Sequence, residues 1–494
     1  ARLDRGGAHY VNAVHDHATT ETAPGHASTL SGRHPARTGI VRNNAGVGDS
    51  ATPLLHGQRG WGASPFRFRG TTLIDWLRTR DPRSRGLSVS RKDRGAILPM
   101  GRAHEAVFWY GYERGFTTST YYGDTLPTWV QRFNARGGHR RWAGQSWELL
   151  LPASQYAEPD SVRWEANGRD FLFPHRMPAD STQSARALAD FPWMDQLTLE
   201  FALEGLDALQ LGRGPSVDVL AISLSTTDAV GHKFGPDSRE IHDNVLRLDR
   251  MMGAFLDSLF KLRDSTRVVI ALTADHGVAP IPEVHFAGRP NATLRANLNP
   301  LVTRTIKALE ARGASPDAFD FEYGMVFADR VALRRAGVNA DSLVRAFLAE
   351  ARRVSGVLRV DTRAALAAAD TVRDAIARRW LHALPPDLDV VGIVTLQPYV
   401  YWAPAGPPTG WTTYATHGSP HDYDARVPVL FWGQAFAPGR RSEPARVVDM
   451  APTLARVLGV TPTERLDGRV LTSALRRAGT ARSAATARAG PRPR

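Results

Sequence analysis

The chain has 494 residues, of which 43% are hydrophobic and 22% are charged, and this is the balance of a globular protein. The length accommodates one large α/β domain with insertions. Its 43 glycines and 33 prolines show no regular period, which excludes collagen-like and repeat architectures. No apolar run is long enough for a membrane-spanning helix, and the first eight residues lack the apolar core of a signal peptide.

Composition also limits the chemistry and the partners. Cysteine is absent, so disulfides, cysteine nucleophiles and thiolate metal ligands are excluded, and any metal needs Asp, Glu, His or hydroxyl ligands. The formal net charge is +13, but only four of the 62 basic residues are lysines, which is typical of a GC-rich coding sequence. Because no basic stripe alternates with aromatic residues, we expect a solvated arginine-rich surface and no nucleic-acid partner.

Short β-branched runs followed by helical patterns recur along the chain. Near-continuous apolar runs are typical of parallel strands that are covered on both faces. The alternation therefore predicts a doubly wound, mostly parallel α/β core. We predict strands at Leu87–Ser90, Val217–Ser223, Arg267–Leu272 and Val427–Trp432, and helices at Glu240–Phe260 and at Asp449–Leu458, which closes at Gly459.

Two long segments interrupt this rhythm. Residues 101–192 are rich in Trp, Tyr, Gly and Pro and predict a cap-like insertion. Residues 282–387 predict a small α+β insertion, and residues 476–494 predict a disordered basic tail. The core then comprises 1–100, 193–281 and 388–475. Within the second insertion we predict strands at Gly324–Phe327 and Val357–Val360 and helices at Ala340–Arg353 and Arg363–Arg379.

Candidate metal ligands lie beside the predicted strands. Asp228 and His232 are four residues apart, so one helical turn would bring their side chains together. Asp275 and His276 directly follow a strand, where open α/β sheets bind ligands, and His417 precedes the last strand. Taken singly, each could be a cap or a surface histidine. Together, two aspartates and three histidines suit zinc in a two-metal hydrolytic site.

Two further segments indicate phosphate chemistry. In TETAPGH, Pro24 predicts a helix start, which places the Thr22 hydroxyl at a helix N-terminus that favours a phosphate. An ordinary N-cap role for Thr22 is the alternative. In SRKDRG, Lys92 and Arg94 follow another predicted strand, and a solvated charge run is the alternative there.

Taken in order, these motifs resemble the alkaline phosphatase superfamily, and within it the PafA-type phosphate-monoester hydrolases with a threonine nucleophile. The resemblance implies an alkaline-phosphatase-like fold, hydrolysis of small-molecule phosphate monoesters through a phosphothreonine, two zinc ions, and a periplasmic or secreted location. It extends from Gly6 to Leu471 and is carried by HATTETAPGHASTLSG, SVSRKDRGAILP, STYYGDTLPTWV, STTDAVGHKFGP, TADHGV, ATHGSPHDYDARVPVLFWG and VVDMAPTLARVLGV.

The resemblance also implies the role of each matched residue. Thr22 would be the nucleophile, and Asn43 would hydrogen-bond a phosphoryl oxygen. Lys92 and Arg94 would contact the substrate phosphate. One zinc would be held by Asp228, His232 and His417, and the second by Asp275, His276 and the Thr22 oxygen.

One part of the family pattern has no match. It is a strand that ends in an aspartate ligand of the second zinc, well before the nucleophile. Only 21 residues precede Thr22, and Asp4 follows no apolar run, so we expect that no strand-plus-aspartate unit fits there. We therefore expect a truncated N-terminus that lacks a core strand and leaves the second zinc site incomplete.

Two alternative functions remain. A phosphodiesterase or nucleotide pyrophosphatase of the same superfamily would share the threonine and metal motifs but lack the K-D-R unit. A non-catalytic protein of the same fold would bind phosphate without turnover. The sequence favours monoesters, because Lys92 and Arg94 would bind the additional charged oxygen that a monoester carries.

Overall fold

The computed structural model describes residues 2–56, 61–404 and 414–476. Its strands, numbered in chain order, are β1 (Ala8–Val14), β2 (Gly48–Pro53), β3 (Gly62–Ala63), β4 (Gly86–Ser90), β5 (Ala106–Tyr110), β6 (Phe116–Thr117), β7 (Ser146–Trp147), β8 (His175–Arg176), β9 (Val219–Ser223), β10 (Ile270–Thr273), β11 (Arg295–Ala296), β12 (Phe319–Glu322), β13 (Met325–Ala328), β14 (Val357–Thr362), β15 (Val390–Leu396), β16 (Tyr401–Trp402), β17 (Arg426–Trp432), β18 (Gly439–Arg441) and β19 (Ala445–Arg446).

The α-helices of the same residues are numbered in the same way. They are α1 (Arg2–Gly6), α2 (Thr22–Ser31), α3 (Pro35–Thr38), α4 (Leu73–Arg80), α5 (Asp93–Ile97), α6 (Thr128–Ala135), α7 (Ser181–Ala187), α8 (Trp193–Ala208), α9 (Thr226–Phe234), α10 (Arg239–Leu262), α11 (Pro282–His285), α12 (Asn299–Glu310), α13 (Arg330–Arg335), α14 (Ala340–Ala351), α15 (Arg363–Ala367), α16 (Ala375–Ala383), α17 (Asp422–Ala425) and α18 (Met450–Leu458). No helix in these described ranges is both long and apolar enough to cross a bilayer.

Two sheets form the body of the molecule. One has the order β6-β5-β4-β9, in which β5, β4 and β9 are parallel. The other has the order β10-β17-β1-β18, with β19 also paired to β1. The predicted α/β core is confirmed, but β17 runs antiparallel to both β10 and β1, so the parallel pairing is less continuous than the sequence predicts.

The strands β9 and β10 are less buried than their apolar sequences predict. Every residue of both strands is half-buried, whereas every residue of β4 is buried. In the described part of the chain, β4 pairs on both sides, but β9 pairs only with β4 and β10 only with β17. An apolar run therefore identified these strands correctly without revealing that each lies at the end of its sheet.

The first 21 residues contain a strand, β1, which the sequence analysis did not predict. In β1, Ala8, Tyr10 and Ala13 are fully buried, but the polar residues between them hide the apolar pattern. Asp16 follows β1, and its carboxylate contacts Arg378 Nε. The expectation of a further strand upstream stays a prediction.

Most predicted helices form close to their predicted bounds. Helix α10 covers Glu240–Phe260, and α18 ends at Gly459, whose φ of 68° is the left-handed conformation that glycine tolerates best. The predicted helix Arg363–Arg379 is wrong in one respect, because it divides into α15 and α16. Asp374 caps α16 by accepting the Ala377 N–H at 2.9 Å, so a new helix begins there.

The second insertion has its own sheet, in the order β12-β13-β15-β14, and its own hydrophobic cluster. Strand β15 belongs to this sheet, although the sequence analysis placed residues 388–475 in the core. Its partners explain this, because Ile393 lies opposite both Met325 and Asp361. The remaining domain boundaries stay predictions, and all of the predicted tail except Arg476 lies outside the described residues.

Asp243 on α10 fixes the cap-like segment 101–192 to the core. Its fully buried carboxylate accepts hydrogen bonds from Trp147 Nε1 and Leu150 N at 2.6 Å, and from Tyr156 Oη at 2.7 Å. Arg247 Nε donates a fourth at 2.5 Å. Burial acts to raise the pKa of Asp243, but these donors hold it below its ordinary value. An ionised carboxylate thus ties three positions of the segment to one helix.

We expect Asp243→Ala to lower the free energy of unfolding by about 3–5 kcal/mol, because it leaves buried donors and Arg247 without their acceptor. Urea unfolding measures this change. Asp257→Ala on the same helix is the matched control and should cost less than about 0.5 kcal/mol, since Asp257 is 58% exposed and, among the described residues, forms an ion pair with Arg2 alone. Equal losses from the two substitutions would contradict the anchoring role of Asp243.

Candidate active site

The site is built around the first residue of α2. Glu21 lies at the N-cap and Thr22 begins the helix, so the helix starts where TETAPGH predicts, and Thr22 is not the cap itself. The Thr22 side chain is buried. Its Oγ1 lies 3.4 Å from Lys92 Nζ and 3.5 Å from His276 Nε2. A hydroxyl, an ammonium and an imidazole therefore meet at one helix N-terminus.

Gly25 allows α2 to lie directly against the end of β10. A Cβ atom at this position would lie 2.2 Å from the Asp275 carbonyl oxygen. His26 fastens the same contact, because its Nδ1 donates to the Thr22 carbonyl at 2.9 Å and lies 3.4 Å from Asp275 Oδ2. Its Nε2 lies 2.9 Å from Ser223 Oγ. The helix that carries Thr22 is thus fixed to the ends of β9 and β10.

Asp228 on α9 gathers three imidazoles. Its Oδ1 lies 3.3 Å from His232 Nε2, 3.4 Å from His417 Nε2 and 3.7 Å from His276 Nε2. The rings of His276 and His417 stack with their centroids 3.5 Å apart. One ligand atom each from Asp228, His232 and His417 lies within 4.8 Å of the other two. The helical spacing of Asp228 and His232 produces the contact that the sequence predicts.

The Nδ1 atom of each of these histidines faces a backbone carbonyl. A ring nitrogen that faces a carbonyl carries the proton, so Nε2 keeps its lone pair. Metal-binding histidines are commonly oriented in this way. The carbonyls are those of Ala415 for His232 at 2.7 Å, Thr20 for His417 at 2.8 Å and Gly277 for His276 at 2.9 Å.

The donor set around Asp228 fits zinc. One carboxylate and two imidazoles leave a position open for a reacting oxygen, as catalytic zinc sites do. Beside it, Asp275 Oδ2 lies 3.5 Å from His276 Nε2, and the Thr22 hydroxyl lies 3.5 Å from the same nitrogen. Within the described ranges, Asp275 and His276 belong to no group of three metal-type side chains. A second metal ion would therefore have Asp275 and His276 as side-chain ligands, together with the Thr22 hydroxyl.

The charges favour metal binding. Burial acts to raise the pKa of Asp228, but the Lys92 ammonium and the histidines hold it well below its usual range. Burial also opposes ionisation of Asp275, yet nearby His276 and His26 lower its pKa to about 2. Burial lowers the pKa values of His276 and His417. At neutral pH the two carboxylates are therefore ionised and His276 and His417 are neutral, which are the forms that bind metals. The pKa of His232 moves the other way: burial acts to lower it, but contact with Asp228 raises it above its ordinary value.

The predicted phosphate-binding residues border this centre. Lys92 forms a short ion pair with Asp228 besides its contact with Thr22. The Asn43 side chain reaches the start of α2, where its Oδ1 accepts the Ala23 N–H at 2.9 Å. Arg94 touches Asp93, and its buried Nε has no hydrogen-bond partner among the described atoms. A buried guanidinium N–H without a partner suits an anion.

Glu21 is a site residue that the sequence analysis did not single out. Its Oε2 accepts the Asn43 N–H at 2.7 Å, and burial raises its pKa. It lies beside Gly418, where a Cβ would be 3.8 Å from its Oε1. The signal for it was an acidic residue directly before the candidate nucleophile, in a segment otherwise rich in threonine.

The second insertion reaches the same region through the turn between β12 and β13. Glu322 forms a short ion pair with Arg42 and accepts from Asn44 Nδ2 at 2.9 Å. Tyr323 follows at a φ of 47°, and 56% of it is exposed. The loop that carries Asn43 is therefore held on one side by α2 and on the other by this turn.

We expect Gly25→Ala to destabilise the protein by about 1–3 kcal/mol, because the added methyl group must displace α2 from the Asp275 backbone. Denaturant unfolding measures the effect. Gly253→Ala is the control, since Gly253 also lies in a helix but a Cβ there meets nothing within 4 Å. That substitution should be neutral or stabilising by up to about 1 kcal/mol. A neutral Gly25→Ala would show that the close packing of α2 is not required.

The chain is similar to known phosphodiesterases and alkaline phosphatases. A family model described as type I phosphodiesterase / nucleotide pyrophosphatase matches residues 1–329. The alkaline phosphatase PhoV of Synechococcus elongatus is 29% identical over 96% of this chain and 88% of its own length. The alkaline phosphatase PhoK of Sphingomonas sp is 30% identical over 95% of this chain and 86% of its own.

A solved structure gives the same result. The crystal structure of wild-type alkaline phosphatase PafA aligns with a TM-score of 0.85 and 26% identity, over 96% of this chain and 93% of that one. This confirms the predicted alkaline-phosphatase-like fold. The chain belongs to the type I phosphodiesterase / nucleotide pyrophosphatase family, and within the alkaline phosphatase superfamily it is a PafA-like protein.

Proposed function

We propose that this chain, a phosphoric monoester hydrolase of the alkaline phosphatase type, acts through a phosphorylated Thr22 with two zinc ions bound beside it. The observation that carries the proposal is the position of Thr22 Oγ1, within 3.5 Å of both Lys92 Nζ and His276 Nε2, which in turn lie beside the Asp228 carboxylate. The substrates would be small-molecule phosphate monoesters, and inorganic phosphate would be released. We propose a periplasmic or secreted location from the same resemblance.

The reaction has two displacements at phosphorus. In the first, Thr22 Oγ1 forms a bond to phosphorus while the ester P–O bond breaks and the alcohol leaves with a proton. In the second, water attacks the phosphothreonine, the bond from phosphorus to Oγ1 breaks, phosphate leaves and Thr22 regains its proton. Two bound zinc ions would activate the Thr22 hydroxyl and neutralise the negative charge on the leaving oxygen.

The chain's own residues do the positioning on which phosphoryl transfer depends. The contact of Gly25 with the Asp275 backbone fixes the helix on which Thr22 stands. Lys92 places a positive charge beside Oγ1, where negative charge develops as the hydroxyl loses its proton. Asn43 is held between Glu21 and the Ala23 N–H, at the edge where a phosphoryl oxygen would lie.

Lys92 and Arg94 account for the preference for monoesters. A monoester has one more charged oxygen than a diester, and that oxygen requires compensation inside a buried site. Lys92 provides a point charge, while a guanidinium such as that of Arg94 can donate to two oxygens at once. The partnerless Nε of Arg94 is consistent with this role.

Thr22→Ala should lower kcat for an aryl phosphate by at least about 10³-fold, because no other described hydroxyl occupies its position. Thr22→Ser should retain turnover, since it keeps the oxygen. Acid quenching with labelled substrate should trap phosphate on the wild-type protein and none on Thr22→Ala.

Thr29→Ala on the same helix is the control and should retain full turnover, since in the described part of the chain the Thr29 hydroxyl has one hydrogen-bond partner, the Gly25 carbonyl. Phosphate trapped on Thr22→Ala would place the nucleophile at another residue.

A phosphodiesterase is the second candidate, because the matching family model is named for that activity. Lys92→Ala distinguishes the two. It should lower kcat/KM for a monoester by about 10²-fold or more and lower diester turnover much less. Only the monoester has the additional charged oxygen that Lys92 would neutralise. Exposed Lys261→Ala is the control and should change neither.

Equal decreases in kcat/KM for the monoester and the diester would contradict the proposed role of Lys92. A wild-type preference for diesters would favour the phosphodiesterase. Phosphate binding by calorimetry without turnover of either ester would instead indicate a non-catalytic phosphate-binding protein.

A further inference from the structure

A second group of metal-type side chains lies apart from the ligands of the proposed reaction. It consists of Asp16, His34 and His382, and one ligand atom of each lies within 4.8 Å of the other two. The three residues come from distant parts of the chain. Asp16 follows β1, His34 is the N-cap residue of α3, and His382 lies on α16 of the second insertion. The proposed reaction assigns none of them a role.

A buried histidine of this group and a buried histidine beside it lack hydrogen-bond partners for their ring nitrogens. His34 is 3% exposed, and neither of its ring nitrogens has a hydrogen-bond partner among the described atoms. Neighbouring His17 is fully buried, and both of its ring nitrogens also lack partners. Buried polar groups almost always have a partner in native proteins, because an unsatisfied one is costly. A bound cation would satisfy such lone pairs.

The two histidines of the group are ordered with respect to Asp16. The rings of His34 and His382 stack with centroids 4.1 Å apart and an angle of 10° between their planes. His382 Nδ1 donates to the Asp16 carbonyl oxygen at 2.7 Å, and lies 3.4 Å from Oδ2. A backbone carbonyl partner of this kind fixes the ring orientation of a metal-binding histidine.

The Asp16 carboxylate already has two cationic neighbours. Arg378 Nε lies 3.1 Å from both carboxylate oxygens, and Arg379 Nε lies 3.9 Å from Oδ1. A carboxylate has about four lone-pair positions, so these contacts leave room for a metal on the same group. Carboxylate ligands of metals are commonly hydrogen-bonded by a second side chain in this way.

The protonation states agree with metal binding. Burial, reinforced by the nearby His382, holds the pKa of His34 well below its ordinary value. Burial opposes ionisation of Asp16, but His382 and Arg378 keep its pKa low. The group therefore presents a neutral imidazole and an ionised carboxylate near neutral pH.

We propose that Asp16, His34 and His382 bind a zinc ion at a third site, separate from the two of the proposed reaction. Two imidazoles and a carboxylate favour zinc over calcium or magnesium, which prefer oxygen ligands alone. The site is structural: it joins the segment between β1 and Thr22 to the second insertion. The same junction contains a backbone hydrogen bond of 2.9 Å from Ala18 N to the Arg379 carbonyl.

The test is the zinc content per folded chain, measured by elemental analysis after equilibration in a zinc buffer. His34→Gln and His382→Gln should each lower the content by one ion. Exposed His104→Gln is the matched control and should leave it unchanged. To remove the contribution of the proposed reaction centre, the same substitutions are repeated in an Asp228→Asn, His232→Gln background, where each should again remove one ion.

Zinc-dependent thermal stability gives a second readout that does not require turnover. In the Asp228→Asn, His232→Gln background, added zinc should raise Tm, and half-buried His382→Gln should abolish that rise while the chain still folds. Unchanged zinc content in folded His34→Gln and His382→Gln, or an undiminished rise in Tm for His382→Gln, would overturn the proposal. These outcomes are independent of whether Thr22 is the nucleophile.

Discussion

The site depends on one buried negative charge, that of Asp228. A carboxylate in the interior is costly unless cations or hydrogen-bond donors surround it. Lys92 and the Nε2 atoms of three histidines do so, and each comes from a different element of the fold. The charge of Asp228 is therefore surrounded only when four elements lie in the right relative positions. These are the ends of β4 and β10, helix α9 and the loop before β17. The geometry at Thr22 follows from this convergence.

The segment from His15 to Thr22 connects the site to other parts of the molecule. His15 Nε2 lies 2.9 Å from the Ala274 carbonyl oxygen, beside the end of β10. Ala18 N is bonded to the insertion, and the Thr20 carbonyl orients the His417 ring. A short stretch of chain thus contacts the sheet of β10 and β17 and the second insertion. Its polar composition reflects these contacts, because few of its side chains face solvent.

The sequence predicted the parts of the fold that depend on local patterns. The apolar runs at β4, β9, β10 and β17 were found, and so were the helix start at Thr22 and the helical spacing of Asp228 and His232. Properties that depend on distant partners were not predicted. The half-burial of β9 and β10 depends on pairing, and the membership of β15 depends on strands from another segment. The strand β1 was missed because buried alanines and a tyrosine alternate with polar residues.

The candidate site divides in the same way. Motifs located the residues around Asp228, since each motif adjoins a regular element whose end was predictable. The group of Asp16, His34 and His382 has no such motif, because its members are separated by long stretches of chain and meet only in the fold. Glu21 was missed for a related reason: its importance lies in burial beside Asn43, which composition does not show.

The turn between β12 and β13 has a consequence for how such a site can diversify. Glu322 and Tyr323 belong to an insertion with its own sheet and hydrophobic cluster, yet they border the loop that carries Asn43. Because Glu322 contacts Arg42 and Asn44, a change at the tip of this hairpin acts on Asn43 and, through it, on the start of α2. A substitution in the hairpin can therefore adjust the site from outside the elements that carry Thr22 and the ligands of Asp228.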